Sequence, residues 1–186
     1  MKRTNDKRMR LINSADQLFH QQGINTTTLA NIAQLADVPL GNVYYYFKSK
    51  ESIVFAIIEH RLKMLQQIFE ELNLLADPKS RIKGLIEKLT INNENILNFG
   101  DPIGNLCLEL SKNPNELHQA AIKLMQALIT WCETQFVAIG KQANATQLAM
   151  HLLCNLQGIS LFTVIFKDQN YLKEYYNFLI NWVNEI

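Results

Sequence analysis

The sequence predicts an all-α protein of about nine helices, and three observations carry that expectation. Nearly half of the 186 residues are hydrophobic, while Gly and Pro number only 7 and 4, so there is a core to bury and little to interrupt a helix. Apolar residues recur at i, i+3, i+4 and i+7, the one-face pattern of an amphipathic helix. Helix starts are marked by a capping side chain before a proline at Asp77-Pro78, Asp101-Pro102 and Asn113-Pro114.

In order, the first helix spans 4–22, with Arg10, Leu11, Ile12, Ala15, Leu18 and Phe19 followed by Gly23. Thr27 or Thr28 caps a second over 28–36, whose inner face is Leu29, Ile32, Ala33 and Ala36. Asp37 falls at a sharp turn and tolerates left-handed geometry better than most residues. Val38 plugs the turn, and Pro39 suits the first position of a third helix, 39–46. A helix this short needs packing to hold it; Val43 and Phe47 face inward, and Leu40, Asn42 and Tyr45 point away. Of the three adjacent tyrosines, Tyr44 is expected to be the most buried.

Ser49 caps a long fourth helix, 49–75, striped with Ile53, Ile57, Leu62, Leu65, Phe69 and Leu72. The remaining helices are read at 78–99, 102–111, 114–139, 145–167 and 170–185. Asn113 with Glu116, and Asn144 with Gln147, have capping-box spacing, and Gly100 and Gly140 sit where helices stop. From Leu148 to Phe166 apolar residues occur almost all the way round, so that helix must be covered on all sides, by the core and by a partner subunit. The last helix adds Tyr171, Tyr175, Phe178, Trp182 and Ile186 along one stripe, with Leu172, Leu179 and Val183 beside it.

Net charge is +1, but its distribution is uneven. Residues 1–50 carry seven Lys or Arg against three acids, whereas 51–186 carry eleven against fourteen. A basic end and an acidic body direct a polyanion to one part of the surface. Cys107, Cys132 and Cys154 show no paired spacing, which argues against a disulfide framework or a zinc site; buried free thiols are expected, with Cys107 the seat of any redox sensor. The four histidines lack metal spacing, and no phosphate loop, nucleophile elbow or kinase signature occurs, so neither a metal, a cofactor nor an enzyme activity is expected. No apolar run long enough to cross a bilayer is expected. The charged start MKRTNDKRMR lacks a signal peptide's apolar stretch, which makes the cytoplasm the expected location.

The Thr-rich cap, the Ile-Ala pair, the turn with Val, and the run Gly-x-Val-Tyr-x-x-Phe-x-Ser-Lys-Glu resemble the DNA-binding domain of the TetR/AcrR family of transcriptional regulators. Thr27, Ile32, Ala33, Val38, Gly41, Val43, Tyr44, Phe47, Ser49, Lys50 and Glu51 carry the pattern, over roughly residues 8 to 55. Asp37 stands where the family usually has a turn glycine, and Pro39 where it usually has a Ser or Thr cap. The resemblance implies a helix-turn-helix domain at 1–48 and a helical effector-binding and dimerisation domain at 49–186. It implies a homodimeric repressor, joined through the last two helices and released from a palindromic double-stranded DNA operator by a small molecule, with no membrane partner. The fourth helix has no Gly or Ser hinge, so motion in the body is expected to reach the DNA-binding end.

On this reading Asn42 hydrogen-bonds adenine edges, and Leu40 and Tyr45 meet thymine methyl groups. Thr27, Thr28, Tyr44, Tyr46, Lys48 and Lys50 are assigned to phosphates, which set register without reading sequence. Gly41 permits close backbone approach, and Lys2 and Arg3 add electrostatic contact. The resemblance also implies an effector pocket, for which Phe99, Cys107, Met125, Leu128, Trp131 and Phe162 are the expected lining. Two alternatives stand beside it: a thiol-based oxidant or electrophile sensor using Cys107, and an all-helical enzyme.

Overall fold

The computed structural model describes residues 2–90 and 94–186, the first four of these by backbone alone. The helices among them are α1 (Lys2–Gln22), α2 (Leu29–Leu35), α3 (Leu40–Tyr46), α4 (Lys50–Asn73), α5 (Pro78–Thr90), α6 (Glu94–Phe99), α7 (Pro102–Ser111), α8 (Glu116–Ala138), α9 (Ala145–Phe166) and α10 (Gln169–Glu185), with a short 3-10 turn at Gln142–Asn144. The span read as one helix at 78–99 is represented by α5 and α6, and residues 91–93 between them lie outside the described residues.

The chain divides into two compact units. The first comprises Met1–Leu62 and Asn105–Lys123, the second Lys63–Gly104 and Leu124–Ile186. These packing units are a different partition from the division by role expected at 1–48 and 49–186.

In the first unit, Leu11, Ile12 and Ala15 of α1 are fully enclosed with Ile32 and Ala33 of α2, Val43 of α3 and Ile53 and Ile57 of α4. The one-face spacing of those residues is what brings the helices together. The buried Arg61 of α4 forms an ion pair with the Asp16 carboxylate of α1 at 2.5 Å.

In the second unit, α5, α9 and α10 pack on one another through Ile82, Leu85, Leu152, Leu179 and Val183. The rings of Phe69 and Trp131 stack at 5.0 Å, and the Trp131 indole donates to Asn73 at 3.2 Å. A methyl group on Gly84 would meet the tip of the Leu72 side chain at 2.5 Å, so a larger residue there would oblige Leu72 to move.

Several helix starts are as expected and others move. Asp77 accepts from the Ser80 amide at 2.8 Å, and hydrogen bonds from the Ser80 side chain and backbone hold its carboxyl below the usual range. Ser49 and Ser52 cap α4 reciprocally, each side-chain oxygen taking the other's amide at 3.3 Å. At α8 the cap is Asn115 rather than Asn113; its Oδ1 accepts the Leu117 and His118 amides at 2.9 and 3.1 Å. Asn144 makes no side-chain cap, because the 3-10 turn leads directly into α9. The last helix starts one residue earlier than expected, at Gln169, with Asp168 as its cap.

The stretch Gln142–Phe166 reaches a mean hydropathy of 1.6, which is long and apolar enough to cross a membrane by length and composition. That corrects the expectation of no such run. Its Leu152, Leu153, Leu156 and Ile159 are nonetheless buried inside the second unit, as in a core helix.

Candidate nucleic-acid interface

The DNA-reading segment is built from its caps inward. Thr28 begins α2 with a complete capping box: its Oγ1 accepts the Asn31 amide at 3.1 Å, and Asn31 Oδ1 accepts the Thr28 amide at 3.0 Å. Thr27 is only 1% exposed, and its hydroxyl donates to the Gly23 carbonyl at 2.8 Å. After α2, Asp37 turns the chain at φ 49°, and the Val38 amide closes the turn on the Ala33 carbonyl at 3.0 Å.

Pro39 starts α3 without a side-chain cap. Val43 and Phe47 anchor this helix from beneath, both buried. Its outer surface carries Leu40, Gly41, Tyr44 and Tyr45, with Asn42 half-buried beside them. Tyr45 is 72% and Tyr44 52% exposed. Tyr46 is the most buried of the three, not Tyr44: its ring sits edge-on to that of Tyr45 at 5.0 Å. A seven-residue helix turns through two revolutions, so three consecutive rings cannot share one environment.

The cations are more committed than composition suggests. Lys48 is exposed and donates to the Tyr44 carbonyl at 3.3 Å. Lys50 instead reaches inward to the Ile24 and Thr27 carbonyls at 2.8 and 3.1 Å. From the other side Glu109 of α7 accepts the amides of Ile24 and Asn25, at 2.9 and 3.3 Å. A carboxylate on the N–H groups and an ammonium on the carbonyls thus clasp the connection between α1 and α2. Thr27 and Lys50 were expected at phosphates; in this structure both are turned to that connection. Arg8 lies over the Phe47 ring at 5.2 Å. Arg10 donates to the Ala36 and Asp37 carbonyls, the latter at 2.6 Å, and to the Asp37 carboxylate at 3.0 Å. The side chains of Lys2 and Arg3 lie outside the described residues.

The bacterial regulatory proteins of the tetR family match this chain over residues 11–57, a span running from the core of α1 through the turn and α3 into α4. Residues 11–57 are thus a tetR-family segment. Over nearly its whole length the chain is 22% identical, across 178 residues, to the fatty acid metabolism regulator protein of Bacillus subtilis, covering 92% of this chain and 90% of the relative. The crystal structure of a TetR transcriptional regulator from Legionella pneumophila has a TM-score of 0.81 at 20% identity, covering 93% and 94% of the two chains. That of FadR from Bacillus subtilis in complex with stearoyl-CoA has a TM-score of 0.71 at 19% identity, covering 94% and 96%. This chain is a DNA-binding transcriptional regulator, as the relatives it matches are transcriptional regulators.

The expected effector-lining residues have different immediate surroundings. A cavity of about 20 Å³ in the second unit is lined by Leu128 together with Leu89, Thr90, Ile96, Asp101, Leu156 and Gln157, among others. Trp131 is occupied by its stack on Phe69. Phe162 is half-exposed and stacks on Phe166. Phe99 and Met125 are half-buried outside that lining. Cys107 belongs to the first unit, where its thiol donates to the Ala121 carbonyl at 3.3 Å. Periodicity marks a residue as inward-facing; it does not distinguish a cavity wall from solid core.

The thiols also sort differently. Cys154 is the exposed one, Cys107 is half-buried, and burial pushes Cys132 up to about 12. Cys154 sits on an open groove of about 280 Å³ with Gly158, Phe162 and Tyr175. Around it Leu161, Ile165, Phe166 and Phe178 are exposed, so the second sides of α9 and α10 are uncovered in the single chain. Leu156, by contrast, is buried. Among the described residues no group of His, Cys, Asp and Glu is placed to hold a metal ion.

Proposed function

We propose that this protein is a homodimeric transcriptional repressor that binds a palindromic operator through α3 and leaves it when a small molecule occupies the helical body. The observation that carries the reading is α3 itself: a short helix anchored by Val43 and Phe47 that offers Leu40, Asn42, Tyr44 and Tyr45 outward. That mixture suits base edges and methyl groups in the major groove. Thr28, Tyr44, Tyr46 and Lys48 remain assigned to phosphates, and Gly41, with open space where a side chain would be, to close approach. Residues 1–48 are the DNA-binding part and 49–186 the effector and dimer part, working in the bacterial cytoplasm.

Support for dimerisation through the last two helices comes from their exposed apolar side, including Phe162, Ile165 and Phe178. Contiguous apolar surface of this kind marks a protein–protein interface. A long-chain acyl-CoA is the first effector class to try, because a structural neighbour holds stearoyl-CoA; the interior cavity must widen to take one. Effector and operator need only prefer different populations of the protein, and linkage then makes each weaken the other equally, typically by about 5–150-fold.

The test is to let the wild-type chain select duplexes from a randomised pool. The expected result is a palindrome whose half-site centres lie about 34–36 Å apart or a multiple of it. Asn42→Ala should then relax preference at one base position, by roughly 1–3 kcal/mol. A chain that selects no sequence overturns the reading.

A further inference from the structure

We propose that Arg10, with Arg8 as its counterpart, is a positioning residue for the recognition helix: the two α1 arginines hold its opposite ends. The inference rests on the reading of α3 as that helix. Seven residues of α-helix extend only about 10 Å and are not stable alone, so where α3 points depends on how its ends are fixed. At its start nothing local does so, since Pro39 offers no side-chain cap. The preceding residue but one, Asp37, is held at φ 49°, a conformation that costs a residue with a Cβ but not glycine.

Arg10 meets that weakness. Its guanidinium donates to the carbonyls of Ala36 and Asp37, which end α2 and would otherwise lack helical partners. It also reaches the Asp37 carboxylate at 3.0 Å. That carboxylate is almost fully exposed, so water screens its charge and the carbonyl bonds carry the interaction. At the other end of α3, Phe47 leaves helical geometry at φ −135°. It is buried, and the Arg8 guanidinium lies over its ring at 5.2 Å. Arg8 and Arg10 are two residues apart on α1, so they leave that helix in different directions and reach different ends of α3. All three bonds come from one terminal nitrogen of Arg10, Nη2, which stands one bond farther from the backbone than the ammonium of a lysine, so the demand on this position is for reach.

The experiment uses the full chain and a duplex that the wild type has selected from a randomised pool. Arg10→Lys and Arg10→Gln should each weaken binding roughly tenfold, the loss of one charge-assisted bond. The slope of log affinity against log salt should stay unchanged, because no phosphate contact is lost. Asp37→Gly should restore most of the affinity of Arg10→Gln, since glycine holds the turn without help. Arg8→Gln should cost roughly threefold. In the DNA-free protein, hydrogen exchange at Val38 and Asn42 should quicken roughly tenfold in Arg10→Lys while α9 amides are unaffected. Wild-type binding by Arg10→Lys, a slope lower by about one in Arg10→Gln, or no rescue by Asp37→Gly overturns the proposal. So does unchanged exchange at both amides. If the wild type selects no duplex, the recognition-helix reading fails, while the exchange measurement still decides whether Arg10 holds the turn.

Discussion

Two surfaces of this molecule expose large apolar side chains, and they differ in what surrounds them. On α3, Leu40, Tyr44 and Tyr45 are spaced by Gly41 and Asn42, and Lys48 follows within a turn. Each tyrosine ring carries a hydroxyl, so both exposed rings can also meet a polar, charged ligand. On the outer sides of α9 and α10, Leu161, Phe162, Ile165, Phe166 and Phe178 are exposed, and α9 has no Asp, Glu, Lys or Arg from Ala145 to Phe166. A groove edge rich in phosphate suits the first surface, and another apolar protein surface suits the second. Exposure of apolar area is therefore not the discriminating signal; the polar company it keeps is.

Substitutions that separate the two sides of α9 and α10 break this comparison most strongly. Leu156→Glu places an uncompensated charge in the core of the second unit, at a cost on the order of 3–5 kcal/mol, and circular dichroism should show a chain that no longer folds cooperatively. Phe178→Glu acts on the outer side and should give a folded monomer by sedimentation. A folded Leu156→Glu dimer, or a dimeric Phe178→Glu, would reverse the assignment of sides.

Next in size is the contrast between two lysines two residues apart. Lys50→Ala leaves two carbonyls of the α1–α2 connection without their partner, so it should lower stability by about 1–3 kcal/mol in urea melts and leave the salt slope of DNA binding unchanged. Lys48→Ala should leave stability within about 0.5 kcal/mol and reduce that slope by about one. Equal slopes in both variants would return Lys50 to the phosphates.

Thiol labelling sharpens the second surface. At pH 8, Cys132, raised to about 12 by burial, should stay unlabelled by iodoacetamide until the chain unfolds. Cys154 should be slow in the wild-type dimer and fast in the Phe178→Glu monomer, and equal rates would place it outside the interface.

The smallest effect is acid sensitivity at the helix starts. Hydrogen bonds from Ser80 lower the Asp77 carboxyl, and its own amide and Ser49 lower that of Glu51. A depressed folded value means that their stabilisation is complete above about pH 4, the unfolded value, and is lost as pH falls through the folded one. Melting temperature measured from pH 5 to 3 should therefore fall less steeply in Asp77→Asn than in wild type.

Much of the helical layout and the character of α3 were legible beforehand, because they follow from local rules. Thr28, Ser49 and Asp77 cap by reaching their own first turn, and the one-face spacing of α2 and α4 needs no knowledge of the rest of the chain. A cap two residues off, at Asn115 where Asn113 was expected, reflects a competition between neighbouring polar side chains that sequence leaves undecided. The candidate interface was legible as a segment and misread in its cations. Lys50 and Lys48 are alike in sequence context, yet one serves the Ile24 and Thr27 carbonyls and the other stands at the surface.

The sequence by itself determined the all-α class, the turn at Asp37, the burial of Val43 and Phe47 and the double-sided apolar character of α9, since each depends on residues within a few turns of one another. Only the tertiary structure decided which charges are spent inside the protein. Arg10 finds Asp37 across 27 positions and Glu109 finds Ile24 across 85. A long flexible side chain takes whichever partner packing brings near, and no local pattern encodes that partner.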